Sequence, residues 1–159
     1  MVYLVARVAT GYTFLMAIPK IGKNSGNEPM HYSVGAYIKK DEKILLIDRV
    51  HFPYGFAGIA GHVDEGEDPE QALLREVKEE SGLDVEKYKL VFEEELNWNS
   101  CNKKVDSHHW YLYNCSVSGS IVKNIAETKS IGWYTIDELK KLTLEPVWKY
   151  WFEKLEILS

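Results

Sequence analysis

Between Gly61 and Leu83 the chain reads GHVDEGEDPEQALLREVKEESGL, with eight acidic side chains against two basic ones. The second half of this stretch is written as a helix. Pro69 can start it because its missing N–H would be unpaired in a first turn anyway. Asp68 is a suitable N-cap, Gln71 three residues later completes a capping box, and Gly82 supplies the stop. The spacing predicts a helix over 69–81, with Leu73, Leu74 and Val77 as its apolar face. Glu76, Glu79 and Glu80 then stand at i, i+3 and i+4 on one side, where neighbouring carboxylates repel. At about 100° per residue that side runs beside the apolar stripe, at the rim where the helix meets the domain. A merely solvated face would point squarely away from the core. Three hard oxygen donors at a rim suit Mg²⁺ or Mn²⁺, with water and substrate phosphates completing the shell.

The chain of 159 residues suits a single domain, 1–159, with 1–30 as an N-terminal hairpin and extension and 143–159 as a C-terminal helix. A net charge of −5 argues against long nucleic acids and anionic membranes as partners, and leaves room for a small polyanion bridged by a cation. Cys101 and Cys115 form neither a metal spacing nor a disulfide framework, which points to a reducing cytoplasm. The opening MVYLVARVATGYTFLMAIP is apolar, but Arg7 interrupts it and no basic region precedes it. Gly11 with Thr10 and Tyr12 reads as a turn, so two strands over 2–9 and 12–18 are expected rather than a membrane span.

Further along, residues 19–29 have loop composition, and HYSVGAYIKK with KILLIDRV reads as a hairpin about Asp41 and Glu42. A loop with a short strand leads into the acidic stretch. After it, YKLVFEEELNW and HHWYLYNCSV read as long strands and SIGWYT as a short one. Thr135 starts a short helix, and EPVWKYWFEKLEIL a last one, with Val147, Trp151 and Leu155 on one stripe and Trp148 and Phe152 beside it. Core packing is the reading preferred for those aromatics. His108 and His109 are adjacent, so on a strand they face opposite ways, and an ordinary strand-surface role is expected of both.

The acidic stretch fits the pattern G, five residues, E, seven residues, R-E, aliphatic, any, E-E, any, G, aliphatic. Gly61, Glu67, Arg75, Glu76, Val77, Glu79, Glu80, Gly82 and Leu83 fill every defined position. Seven fixed identities at roughly 7% each coincide about once in 10⁸ starting points. This resembles the box of the Nudix hydrolases, and the likeness of strand and helix order extends over about residues 31–142. The resemblance implies an α/β fold, an α/β/α sandwich around a mixed sheet. It implies a divalent-metal-dependent pyrophosphohydrolase, a hydrolase acting on phosphorus-containing anhydrides in a nucleoside di- or triphosphate derivative. A MutT-like nucleoside triphosphate enzyme is the default. The signposts of NADH, ADP-ribose and dinucleoside polyphosphate enzymes are missing; ELNWNS stands where the ADP-ribose enzymes have their proline.

Carried over residue by residue, the resemblance makes Glu76, Glu79 and Glu80 metal ligands, with the Ala60 carbonyl and Glu127 as further ones and Glu93, Glu94 and Glu95 as rivals to Glu127. Ala60 departs from the glycine usual there. Glu67 and Arg75 would brace loop to helix, Arg75 by a planar fork that holds two carboxylate contacts at once. Glu80 is the first choice of general base. Gly61 would let backbone approach the phosphates, and Phe56, Trp98 and Trp110 could stack on a base or be core. Two other functions stand beside this one. A non-catalytic nucleotide-sensing Nudix module would usually have lost box carboxylates. An isopentenyl-diphosphate-isomerase-like enzyme would need a cysteine at the site, for which Cys101 is only loosely placed. The N-terminal hairpin either completes the sheet or pairs with a second subunit, so a homodimer is among the expected assemblies.

Overall fold

The computed structural model describes residues 3–8 and 11–159, with side chains from residue 17 onward. Strands β1 (Tyr3–Val8) and β2 (Gly11–Met16) pair antiparallel from Tyr3↔Met16 to Val8↔Gly11, as a two-stranded sheet of their own. Gly11 and Tyr12 lie inside β2 rather than in the turn expected of them; the rest of that turn falls outside the described residues.

The main sheet is organised by β4 (Pro29–Lys40), whose near-continuous burial reflects cover on both faces. Its end pairs antiparallel with β5 (Lys43–Arg49) only at Lys39↔Ile44 and Lys40↔Lys43, about the expected turn at Asp41 and Glu42. Both turn residues have positive φ, 49° and 61°. Further back, β5 gives way and β4 takes β7 (Ile59–His62) from Ala36↔Ile59 to Ser33↔His62. On its other edge β4 runs parallel to β9 (Ser107–Ser118) from Met30↔Ser107 to Ile38↔Cys115. The short β3 (Ile21–Lys23) also pairs with β4, and β6 (Phe56–Ala57) with β5. With β8 (Asp84–Leu96) on β9 and β10 (Thr128–Thr135) on β5, the order is β10-β5-β4-β9-β8. The sheet is mixed and largely antiparallel.

Helices cover both faces. The α1 helix (Pro69–Ser81) has the expected caps: Asp68 accepts from the Gln71 N–H, the Gln71 side chain answers the Asp68 N–H, and Gly82 is left-handed at φ 75°. Ala72, Leu73 and Val77 are buried, whereas Leu74 is 43% exposed, one position too far round the helix to reach the sheet. On this face Tyr88 meets Tyr113 and its hydroxyl bonds Glu70 of α1. The opposite face carries α3 (Pro146–Lys154), where Trp151 stacks on Phe92 and meets Trp110 edge-on. Gly35 leaves room for this packing, since a Cβ there would lie 2.9 Å from Leu112 and 3.3 Å from Trp148. Between them α2 (Ile136–Leu139) is capped by Thr135. The last helix is shorter than expected. Glu156 takes a left-handed φ of 59°, and the N–H groups of Ile157 and Leu158 turn back to the Phe152 carbonyl. No helix of the described residues is long and apolar enough to cross a membrane.

Candidate active site

The helix α1, the end of β7 and the loops 49–53, 99–103 and 124–127 enclose one cavity. Its centre is Arg75, which α1 holds against the loop behind β7. The guanidinium grips Glu67 with two parallel bonds, Nε to Oε1 at 2.6 Å and Nη2 to Oε2 at 2.9 Å. Nη2 also donates to the His62 carbonyl at 2.9 Å, and Nη1 reaches Glu76 at 2.7 Å and Glu79 at 3.2 Å. Asp64 stands 3.3 Å from Nη2. Five N–H donors in a fixed fork are what permits one side chain to serve so many acceptors. Glu67 in turn accepts from the Asp64 N–H at 3.0 Å, which closes the loop on itself.

Charge is unevenly shared. Burial lifts the proton affinity of Glu67, but the bonds from Arg75 and the Asp64 N–H outweigh it and hold the carboxyl below its usual range. Burial raises Asp64 and Glu79 more than Arg75 lowers them. Glu76, 7% exposed, is pushed up to about 7 by burial, with Arg75 opposing and the Glu79 charge adding. Glu80, 6% exposed, is raised well above the carboxylate range by burial and by Glu76 beside it. Its carboxylate accepts the Ala60 N–H, while Oε2 is buried without a partner.

Glu76, Glu79, Glu80, Glu127, Ala60 and Gly61 all line this cavity. Two of the three helix acids lie deeper than a rim position, because the β7 backbone passes directly over them. A Cβ on Gly61 would fall 2.0 Å from the Glu76 carboxyl carbon. Nor do the three converge on one point: Arg75 Nη1 lies between Glu76 and Glu79, and Glu80 turns to Ala60. Glu127 is 3.8 Å from the His51 imidazole. The rival acids stand elsewhere, Glu93 on His109, Glu94 on Tyr150 and Lys154, and Glu95 on Ser25.

Two of the three aromatic candidates stand away from the cavity. Phe56 packs edge-on against Tyr134, and Trp98, 51% exposed, meets Tyr150; neither lines the cavity. Trp110 does line it, though its indole is buried against Trp151 and donates to Asn99 Oδ1 at 2.7 Å. His108 is not on a surface. It is 2% exposed, because the 99–106 loop folds over its face of β9, and burial lowers its proton affinity to about 4. Cavity residues not foreseen include Asp64, Arg49 and Glu145. Asp64 occupies an undefined place in the box pattern; the signal available was its position three residues before Glu67. Glu145 shows in sequence only as the cap before Pro146.

A model of the NUDIX domain matches residues 29–155. An ADP-ribose pyrophosphatase of Methanocaldococcus jannaschii is 49% identical over 53 residues, which is 32% of this chain and 31% of that one. The NAD-capped RNA hydrolase NudC of Pseudomonas aeruginosa is 29% identical over 106 residues, 66% of this chain and 36% of its own. The chain thus spans well under half the length of these curated relatives. Among solved structures, a MutT NUDIX hydrolase from Burkholderia pseudomallei superposes with a TM-score of 0.64 at 26% identity, covering 79% of this chain and 98% of that one.

Proposed function

The chain belongs to the NUDIX domain family, and we propose that it is a divalent-metal-dependent pyrophosphohydrolase acting on a small nucleoside di- or triphosphate derivative. The observation that carries this reading is the unpartnered, buried Oε2 of Glu80 inside a cavity lined by five further carboxylates. A buried acidic oxygen with nothing to bind is costly unless a proton or cation occupies it. The donor set is all oxygen, which suits Mg²⁺ or Mn²⁺. Glu76, Glu79 and Glu80 would hold the ion, with the Ala60 carbonyl and Glu127 as further ligands. Bound there, such an ion supplies charge neutralisation for a diphosphate and a more acidic water.

The chain's own residues divide the remaining tasks. Glu80 is the first choice to accept a proton from the attacking water, and the Ala60 N–H fixes its carboxylate. Arg75 and Glu67 hold the loop behind β7 so that Gly61 keeps its backbone against Glu76. Arg75 also competes for Glu76 and Glu79, so cation entry requires Nη1 to yield at least one of them. The substrate class rests on kinship: the named relatives act on ADP-ribose and on NAD-capped RNA, and the structural relative is MutT-like. A nucleoside triphosphate is therefore the first substrate to try. The two thiols are consistent with a reducing cytoplasm as the setting.

A panel of nucleoside triphosphates, ADP-ribose, nucleotide sugars, dinucleoside polyphosphates and NADH, each with Mg²⁺ and Mn²⁺, tests the reading. At least one should be hydrolysed at a diphosphate bond, and Glu79→Gln and Glu80→Gln should each lower that rate by orders of magnitude. Binding without turnover across the panel, or near-normal turnover in both variants, would overturn it.

A further inference from the structure

A second group of metal-ligating side chains borders the same cavity and takes no part in the reaction proposed above. His31, His62, Cys101 and His108 each bring one ligating atom to within 4.8 Å of the others. The sheet assembles them. His31 lies opposite His108 in the parallel β4–β9 pairing, and His62 lies opposite Ser33, two residues along β4 from His31. Alternation therefore sends all three imidazoles to one face. Cys101 comes down onto them from the 99–106 loop, which closes on itself through the Asn99 N–H to the Asp106 carbonyl and the Cys101 N–H to the Val105 carbonyl. The ring centroids of His31 and His62 are 4.8 Å apart, and each lies 5.6 Å from that of His108.

Three neutral imidazoles facing each other in a buried corner have poor reason to gather unless they share something. The His108 Nδ1 is buried with no partner at all. Its ring bonds the Asn99 backbone through the other nitrogen, the arrangement by which a ligating histidine is oriented and its free lone pair fixed. The Cys101 sulfur lies 3.7 Å from His31 Nδ1. In a tetrahedral site with Zn–S about 2.3 Å and Zn–N about 2.05 Å, the S···N edge is about 3.6 Å.

We propose that His31, His62, Cys101 and His108 form a four-coordinate site for Zn²⁺, separate from the carboxylates that take the harder cation. A soft thiolate and three borderline imidazoles are ligands of the kind that select zinc over Mg²⁺. Four protein ligands leave no position open for water or substrate, so the ion is structural. Its effect is to fasten the 99–106 loop, otherwise held largely by its own hairpin bonds and by Trp110 to Asn99, onto β4, β7 and β9. That loop forms one wall of the cavity.

The full chain is stripped with a chelator, given Zn²⁺ in the presence of excess Mg²⁺, desalted and assayed for bound zinc. The same protein loaded with Co²⁺ is examined for a thiolate-to-metal charge-transfer band. We expect one zinc per chain and the band in the wild type, in Glu80→Gln and in His109→Ala, whose ring points to the opposite face. Cys101→Ser changes a half-exposed loop residue, so its fold should survive, as circular dichroism can check. It should lose the band and bind zinc at least tenfold more weakly. No thiolate band in the wild type, zinc retention in Cys101→Ser equal to the wild type, or loss in Glu80→Gln matching that in Cys101→Ser would each overturn the proposal. All these readouts are independent of hydrolysis, so a failed substrate panel would leave them standing.

Discussion

Adding one methyl group at Gly61 tests the tightest contact in the cavity. Its Cβ would lie 2.0 Å from the Glu76 carboxyl carbon, whereas ordinary contact begins at 3.4 Å, so the carboxylate must retreat by about 1.4 Å. The backbone at Gly61 is not in the left-handed region, which leaves space alone as the cause. Glu76 can retreat only by giving up its 2.7 Å bond to Arg75 Nη1. A lost hydrogen bond to a charged group costs about 1.5–3 kcal/mol, and an off-rotamer side chain about 0.5–1.5 kcal/mol more. Gly61→Ala should therefore destabilise the metal-free protein by ~2–4 kcal/mol, read from urea denaturation with chelator present. Hydrolysis should fall by about 10²-fold, because a misplacement of roughly 1 Å at a reacting centre costs that much. In a Glu76→Ala background the obstacle is gone, and the same change at Gly61 should cost under about 0.5 kcal/mol. The refuting result is additivity: equal destabilisation in both backgrounds, or a Gly61→Ala protein as stable and active as the parent, would show that Glu76 moves aside freely.

Three further outcomes follow from the same geometry. Arg75→Lys keeps the charge but loses the fork, so it should cost about 2–3 kcal/mol in denaturant titration, with Glu67 no longer gripped at both oxygens. Glu76 and Glu80 bind protons more tightly folded than unfolded, so their contribution is present at low pH and is lost as pH rises through their folded values, about 7 for Glu76. The depressed histidines His31, His62 and His108 act in the opposite sense as pH rises through about 6.5, so the fall in the metal-free denaturation midpoint should be read as pH passes through about 7, and Glu76→Gln should flatten it. Glu127→Gln should lower hydrolysis less than either helix variant does; an unchanged rate at saturating Mg²⁺ would make Glu127 a loop residue only.

What was legible in the sequence is what is local. The caps of α1 and its length follow from residues within one or two turns of each other, and the structure has them where expected; the three acids share one side of it, but Glu76 and Glu80 lie deeper than the rim because β7 passes over them. The Glu67–Arg75 pair was legible only through resemblance, since eight residues separate the two and a loop must bring them together. Leu74 failed because an apolar stripe read from sequence has no sharp edge. Phe56 and Trp98 lie outside this cavity, and an aromatic side chain looks the same in sequence whether it meets a ligand, Tyr134 or Tyr150. The histidine and cysteine group carried no spacing at all. His31 and His108 meet through a parallel strand pairing across nearly half of the chain, and Cys101 through a loop whose path no short motif encodes.

His62 belongs to both halves of the cavity at once. Its carbonyl accepts from Arg75, and its imidazole stands among His31, Cys101 and His108. One peptide unit is thus common ground for the carboxylate cluster and for the histidine corner. Anything that shifts it on one side changes the free energy available on the other, and the two changes are equal: if a cation at the carboxylates tightens a ligand at the histidines tenfold, the reverse holds tenfold too. Titrating either side with the other filled and then empty would measure that reciprocal coupling directly.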